Sequence, residues 1–156
     1  MKITYTPKDI LQIDDARIIF RNFSGTPSKF NREGDRNFAM VIPDDETADE
    51  LIERGWHVVV KPPREEGEEP LRFLKVKVKF NDRGPSVYLR TNGKQNRLDE
   101  ESVDLLDSID IFSVDLDIRP YHWERDGDSG IAAYLQAICV TQAVDRFMER
   151  ENDIYE

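Results

Sequence analysis

The chain has 156 residues, 38% of them apolar and 35% charged, and a formal net charge of −10. That length suits one domain that needs no covalent staple, and the lone cysteine, Cys139, excludes an intramolecular disulfide or a cysteine metal cluster. The N-terminus lacks the apolar core of a signal peptide, and no apolar run approaches the ~18 residues of a membrane helix, so the sequence predicts a soluble protein of a reducing cytoplasm, with no membrane partner.

In chain order, Ile10 to Phe23 reads as one strand with Ile18 to Phe20 at its apolar centre. Ser24 to Arg36 follows as a mobile polar loop rich in Gly, Pro, Ser and Asn. Phe38 to Ile42 is an apolar run of strand length, ended by Pro43. Asp44 or Asp45 can cap a helix that buries Ala48, Leu51 and Ile52 and stops at Gly55. Trp56 to Val60 is a strand with Trp56 in the core and His57 structural. Pro62 to Pro70 is a polar loop.

Leu71 to Phe80 and Ser86 to Arg90 read as two neighbouring strands. Asn92-Gly93 marks a turn, and Asp99 to Leu106 a short acidic helix with Val103 and Leu106 inward. Ile109 to Trp123 is the longest strand, with Phe112, Val114, Leu116 and Ile118 on one face. Arg125 to Gly130 turns it into a hairpin with Ile131 to Thr141, where Cys139 is expected to be buried. Thr141 can cap a last helix carrying Ala143, Val144, Phe147 and Met148. Six or seven strands with short helices between them predict a mainly β domain over residues 1–148, an OB-like small barrel with closed edges or a sandwich. Residues 149–156 form a short acidic tail.

Charge is segregated along this chain. From Leu71 to Arg97 there are eight basic residues and one acid, whereas Asp44–Arg54 holds six acids and one base and Asp99–Asp107 five acids and no base. Within the basic stretch apolar and basic residues alternate strictly. A strand sends alternate side chains to opposite faces, so Leu74, Val76, Val78 and Phe80 face a core while Lys75, Lys77 and Lys79 form a cationic row outside. Tyr88 and Arg90 face outward on the next strand. The row either binds a polyanion with flat bases or blunts a sheet edge.

Arg21, Lys29, Arg32 and Arg36 interleave with Phe20, Phe23, Phe30 and Phe38. Phe20 and Phe38 fit strands and a core; Phe23 and Phe30 fit either a core or base stacking. Arg119, Tyr121 and Trp123 recur at period two, as stacking platforms or as cross-strand packing.

Catalytic signals are weak. His57 and His122 have no second ligand at metal spacing. Asp115 and Asp117 share a strand face, but pairing with Arg119 accounts for them more simply than Mg²⁺ does. No Gly-rich phosphate loop or nucleophile elbow is present in the sequence. The expectation is a protein that is not an enzyme and uses no metal or cofactor.

Three stretches resemble a family of phage and prophage single-stranded-DNA-binding proteins: Ala16-Arg-Ile-Ile-Phe-Arg-Asn-Phe-Ser-Gly25 with Phe30-Asn-Arg-Glu-Gly-Asp-Arg-Asn-Phe38; Leu98-Asp-Glu-Glu-Ser-Val-Asp-Leu-Leu-Asp107; and Asp117-Ile-Arg-Pro-Tyr-His-Trp123 with Gly130-Ile-Ala-Ala-Tyr-Leu135. The similarity spans about residues 10–142. It implies an OB-type fold and a role in phage DNA replication or recombination. Many such proteins end in a long acidic tail that recruits partners; here Ile154 and Tyr155 are the tail residues suited to a partner pocket. The reading is a single-stranded-DNA-binding protein of low sequence specificity, compatible with a homo-oligomer. Its rival is an acidic protein-interaction module, a DNA mimic or an inhibitor of a host factor.

Overall fold

The computed structural model describes residues 1–144. The last helix expected from Thr141 does not start there, because Thr141 and Gln142 belong to the final strand and Ala143 and Val144 are not helical; Phe147 and Met148 of that expected helix, and the tail with Ile154 and Tyr155, lie outside the described residues. Ten strands form one sheet: β1 (Lys2–Tyr5), β2 (Leu11–Ala16), β3 (Ile18–Asn22), β4 (Arg36–Val41), β5 (Val58–Lys61), β6 (Leu71–Val78), β7 (Ser86–Thr91), β8 (Lys94–Leu98), β9 (Ile111–Arg125) and β10 (Asp128–Gln142). One α-helix, α1 (Asp45–Glu53), follows β4, and a 3₁₀ turn at Val103–Asp107 replaces the short acidic helix expected there.

The main path through the sheet is β1-β2-β9-β10-β6-β4-β3, with β5 beside β6 and the β7–β8 pair beside β10. Only Arg17 separates β2 from β3, yet these strands stand near opposite ends of that path. The sheet must therefore curl, and the Val41 amide closes part of the gap by donating to the Arg17 carbonyl at 2.9 Å. Strand pairing does not complete the ring, so the closed barrel expected from the sequence is instead an open, curled, OB-like sheet.

Local chemistry explains several elements. Asp44 caps α1 by accepting from the Thr47 amide at 2.8 Å. Asn92 and Gly93 both have positive φ, as do Asp126 and Gly127. These are two-residue turns of the kind that close β7 on β8 and β9 on β10 with the correct twist.

The concave side holds the core. Leu11, Ile13, Phe38, Met40, Leu74, Val76, Leu116, Ile118 and Ile138 are fully buried there, and Leu51, Trp56, Val103 and Leu106 pack against them from α1 and the connections. Phe23 is buried too, its ring stacked on Phe38 with centroids 5.2 Å apart, so it is a core residue and not a stacking platform.

Several expectations need correction. The run Ile10–Phe23 is two strands. The two basic strands do not pair with each other: β6 and β7 each run parallel to β10, side by side with its two halves. Phe112 is 77% exposed because register shifts at that end of the hairpin, and Phe20 is 57% exposed. Ile52 and His57 point to solvent, and Cys139 is only half-buried.

Candidate nucleic-acid interface

The predicted alternation in β6 holds: Leu74, Val76 and Val78 are buried, and Lys75, Lys77 and Lys79 are exposed. Phe80, expected inside, is half-buried and carries the Arg36 guanidinium 5.5 Å from its ring centroid. Residues directly opposite one another on paired strands share a face. Lys77 is opposite Asn37 of β4 on one side and Tyr134 of β10 on the other, and Tyr134 is opposite Arg119 of β9. This register builds a cross-sheet row, Asn37–Lys77–Tyr134–Arg119, on the convex side. Tyr134 is its centre, with the Lys77 ammonium 5.8 Å and the Arg119 guanidinium 5.0 Å from its ring centroid. Tyr121, 53% exposed, meets the same ring edge-on at 5.7 Å.

The loop between β3 and β4 forms the wall of this face. The sequence suggests a mobile loop, but the structure shows an ordered one. Asn31 donates to the carbonyls of Thr26, Arg32 and Asp35 at 3.0–3.1 Å and accepts from the Asn37 side chain at 2.9 Å. The Gly34 amide donates to the Gly25 carbonyl at 2.8 Å, and a Cβ on Gly25 would come within 2.9 Å of the Gly34 backbone. Only glycine permits that crossing. Asp107 holds the loop's base by accepting from the amides of Phe23 and Ser24 at 2.7 and 3.0 Å. Phe30 at the tip is 90% exposed, with Lys29 beside its ring.

Loop and sheet together enclose an open groove of about 500 Å³, lined by Phe30, Arg32, Arg36, Lys75, Lys77, Lys79, Phe80 and Tyr134, with Asp35 and Glu100 as its acids. Arg36 is fixed there by the carbonyls of Glu100 and Phe23, at 3.2 and 3.4 Å. Six of the residues singled out in the sequence thus converge. Others stand apart. The Arg21 guanidinium donates to the carbonyls of Leu106 and Ile109, both at 2.8 Å, and ties β3 to the 3₁₀ turn.

Tyr88 and Arg90 lie on β7, beside the far half of β10, where Tyr88 shares a row with Cys139, Asp115 and Arg97. That row lies five steps along β10 from Tyr134, about 16 Å at the rise of a strand. The Trp123 indole packs flat on Gly130, whose missing Cβ would sit 2.8 Å from the ring, and the side chain remains 40% exposed.

The acids near Arg119 are occupied differently from the expected pairing. Asp115 accepts from the Asp15 amide at 2.9 Å. Burial pushes the Asp117 carboxyl above its ordinary range, with the Asp14 charge adding to the effect. No group of three or more potential metal ligands exists among the described residues, and no described helix is long and apolar enough to cross a membrane.

Tyr134 is the residue that sequence reasoning missed. It lies in a nearly continuous apolar strand, where no alternation reveals which face a ring takes.

A curled, OB-like β-sheet thus joins lysines, arginines and aromatic rings in one groove on its convex face. A family described as "Putative phage ssDNA-binding domain" matches residues 1–156, and the chain belongs to that family. Among solved structures, the single-stranded DNA-binding protein of bacteriophage Enc34 shares 14% identity at a TM-score of 0.54, covering 100% of both chains. Its C-terminal truncation aligns at TM-score 0.53 and 14% identity over 92% of this chain and 91% of that one. The Enc34 protein in complex with ssDNA gives 0.55 and 14% over 93% of each. These likenesses establish the shared fold. No curated protein matches the chain.

Proposed function

We propose that this chain binds single-stranded DNA without catalysis, during phage DNA replication or recombination, with the strand lying in the groove between the β3–β4 loop and β6. The observation that carries this reading is the convergence of Lys75, Lys77, Lys79, Arg32 and Arg36 with Phe30 and Tyr134 on one open face. Ammonium and guanidinium groups pair with phosphates, and rings accept any base, so sequence preference is slight. Family membership supports the ligand class, as does the solved complex of the Enc34 protein with ssDNA.

Lys29, Tyr121 and Arg119 extend the site at its margins. Trp123 is a peripheral platform. Tyr88 and Arg90, on β7, lie apart from this groove. Arg21 supports the loop through its carbonyl contacts.

The test is fluorescence anisotropy with labelled poly-dT at two salt concentrations. Binding that weakens with salt is expected. A chain that ignores poly-dT and captures a basic protein instead would favour the acidic-module reading.

A further inference from the structure

The convex face does not end at Lys75. Phe73 has the same strand parity as Lys75 and Lys77, so its side chain leaves β6 on the same side. It pairs with Val41 of β4 and Val59 of β5. It is nevertheless buried, and what covers it is Phe20, edge-on with centroids 5.7 Å apart, and Lys61, whose ammonium stands 5.6 Å from the Phe20 ring centroid and 5.8 Å from that of Phe73.

Phe20 itself has φ of +53°. A bulky residue rarely adopts that left-handed conformation, and where it occurs the surrounding structure enforces it. The register of β3 against β4 shifts between Ile19 and Asn22, so Phe20 sits in a bulge. Bulges re-aim side chains, and this one leaves a phenyl ring more than half exposed on the convex face. Lys61 has no carboxylate partner among the described residues.

We propose that Phe20 and Lys61 form a second stacking and phosphate station, onto which the single strand continues along β6 beyond Lys75. This rests on the DNA-binding reading above. The six steps from Lys79 to Phe73 span about 20 Å at the rise of a strand. A stacked strand advances about 3.4 Å per nucleotide, so the route accommodates about six nucleotides, and fewer if the strand is extended. That length falls within the range of roughly 4–16 nucleotides for one OB domain. The groove around Lys77 alone takes the shorter part.

The experiment compares labelled dT oligomers of about 4 and about 12 nucleotides. Phe20→Asn keeps a residue that tolerates the left-handed backbone. It should weaken the longer oligomer by roughly 5- to 150-fold, the usual range for one stacked base, and leave the shorter one nearly unchanged. Lys61→Gln should reduce the salt slope of log K by about 0.7 for the longer oligomer only.

Folded variants that bind the longer oligomer like the parent, with the parental salt slope, would overturn the second station. So would equal losses at both lengths. If Phe20→Asn does not fold, the Lys61→Gln slope decides alone. A parent chain that binds neither oligomer would refute the DNA-binding reading itself.

Discussion

Replacing Lys75, Lys77 and Lys79 together by alanine removes the charge from the centre of the proposed site without touching the core. All three side chains are exposed, and none has a carboxylate partner among the described residues, so the fold should persist with little change in melting temperature. Alternate residues of a strand repeat every ~6.6 Å, a spacing that lets each ammonium meet a different phosphate. Each phosphate neutralised on a single strand contributes about −0.7 to the slope of log K against log salt, so the triple variant should lose about 2 from that slope. Between about 50 and 200 mM salt, those three contacts cost the parent roughly 18-fold in affinity that the variant no longer has to lose. Anisotropy titrations of labelled poly-dT over that range measure both slopes. A folded triple variant with the parental slope would show that the row contacts no phosphate, and the groove would cease to be the binding site.

Tyr134→Leu should cost about 1–3 kcal/mol of poly-dT binding, as for one stacked base, with an unchanged salt slope because no charge is removed; a flattened slope would mean that the ring acts only by positioning Lys77 and Arg119. Gly130→Ala should push the Trp123 indole off the hairpin and shift its fluorescence, with buried Trp56 as a constant background; an unaltered spectrum would refute the packing described. In the parent, poly-dT should quench Trp123 less than a ring inside the groove would be quenched. Asp117→Asn should raise stability at neutral pH by roughly 0.2–1 kcal/mol, the scale of a cross-strand charge effect. The folded state holds the Asp117 proton more tightly than the unfolded chain does. Its contribution is therefore fully present below the ordinary carboxylate range and lost as pH rises through the raised value. The advantage of asparagine should thus disappear in acid, and melting curves from acid to neutral pH would reveal a failure of that trend.

What the sequence determined by itself was local. Strict alternation in β6 assigned Lys75, Lys77 and Lys79 to one face before any partner strand was known, because strand periodicity is a property of the backbone. The turn at Asn92-Gly93, a turn within Arg125–Gly130, a cap at Asp44 or Asp45 and the long terminal hairpin were legible for the same reason; the structure narrows the second turn to Asp126-Gly127 and the cap to Asp44. The word-level resemblance to phage DNA-binding proteins indicated the ligand class, in agreement with the family match.

Tertiary structure decided everything that depends on which strands meet. Alternation cannot say that β6 and β7 flank β10 instead of each other, and that register is what brings Tyr134 to Lys77 and leaves Tyr88 beside Cys139. Nor can it foresee a bulge. One residue with positive φ breaks the period of two, and Phe20, assigned to the core by its apolar neighbours, turns outward. Phe23, which the sequence leaves open between core and stacking, is buried, because its partner Phe38 is 15 positions along the chain and reaches it only after the loop has folded around Asn31. Side-chain direction is inherited from the local backbone, whereas the neighbours that give a side chain its function arrive through pairing between distant strands.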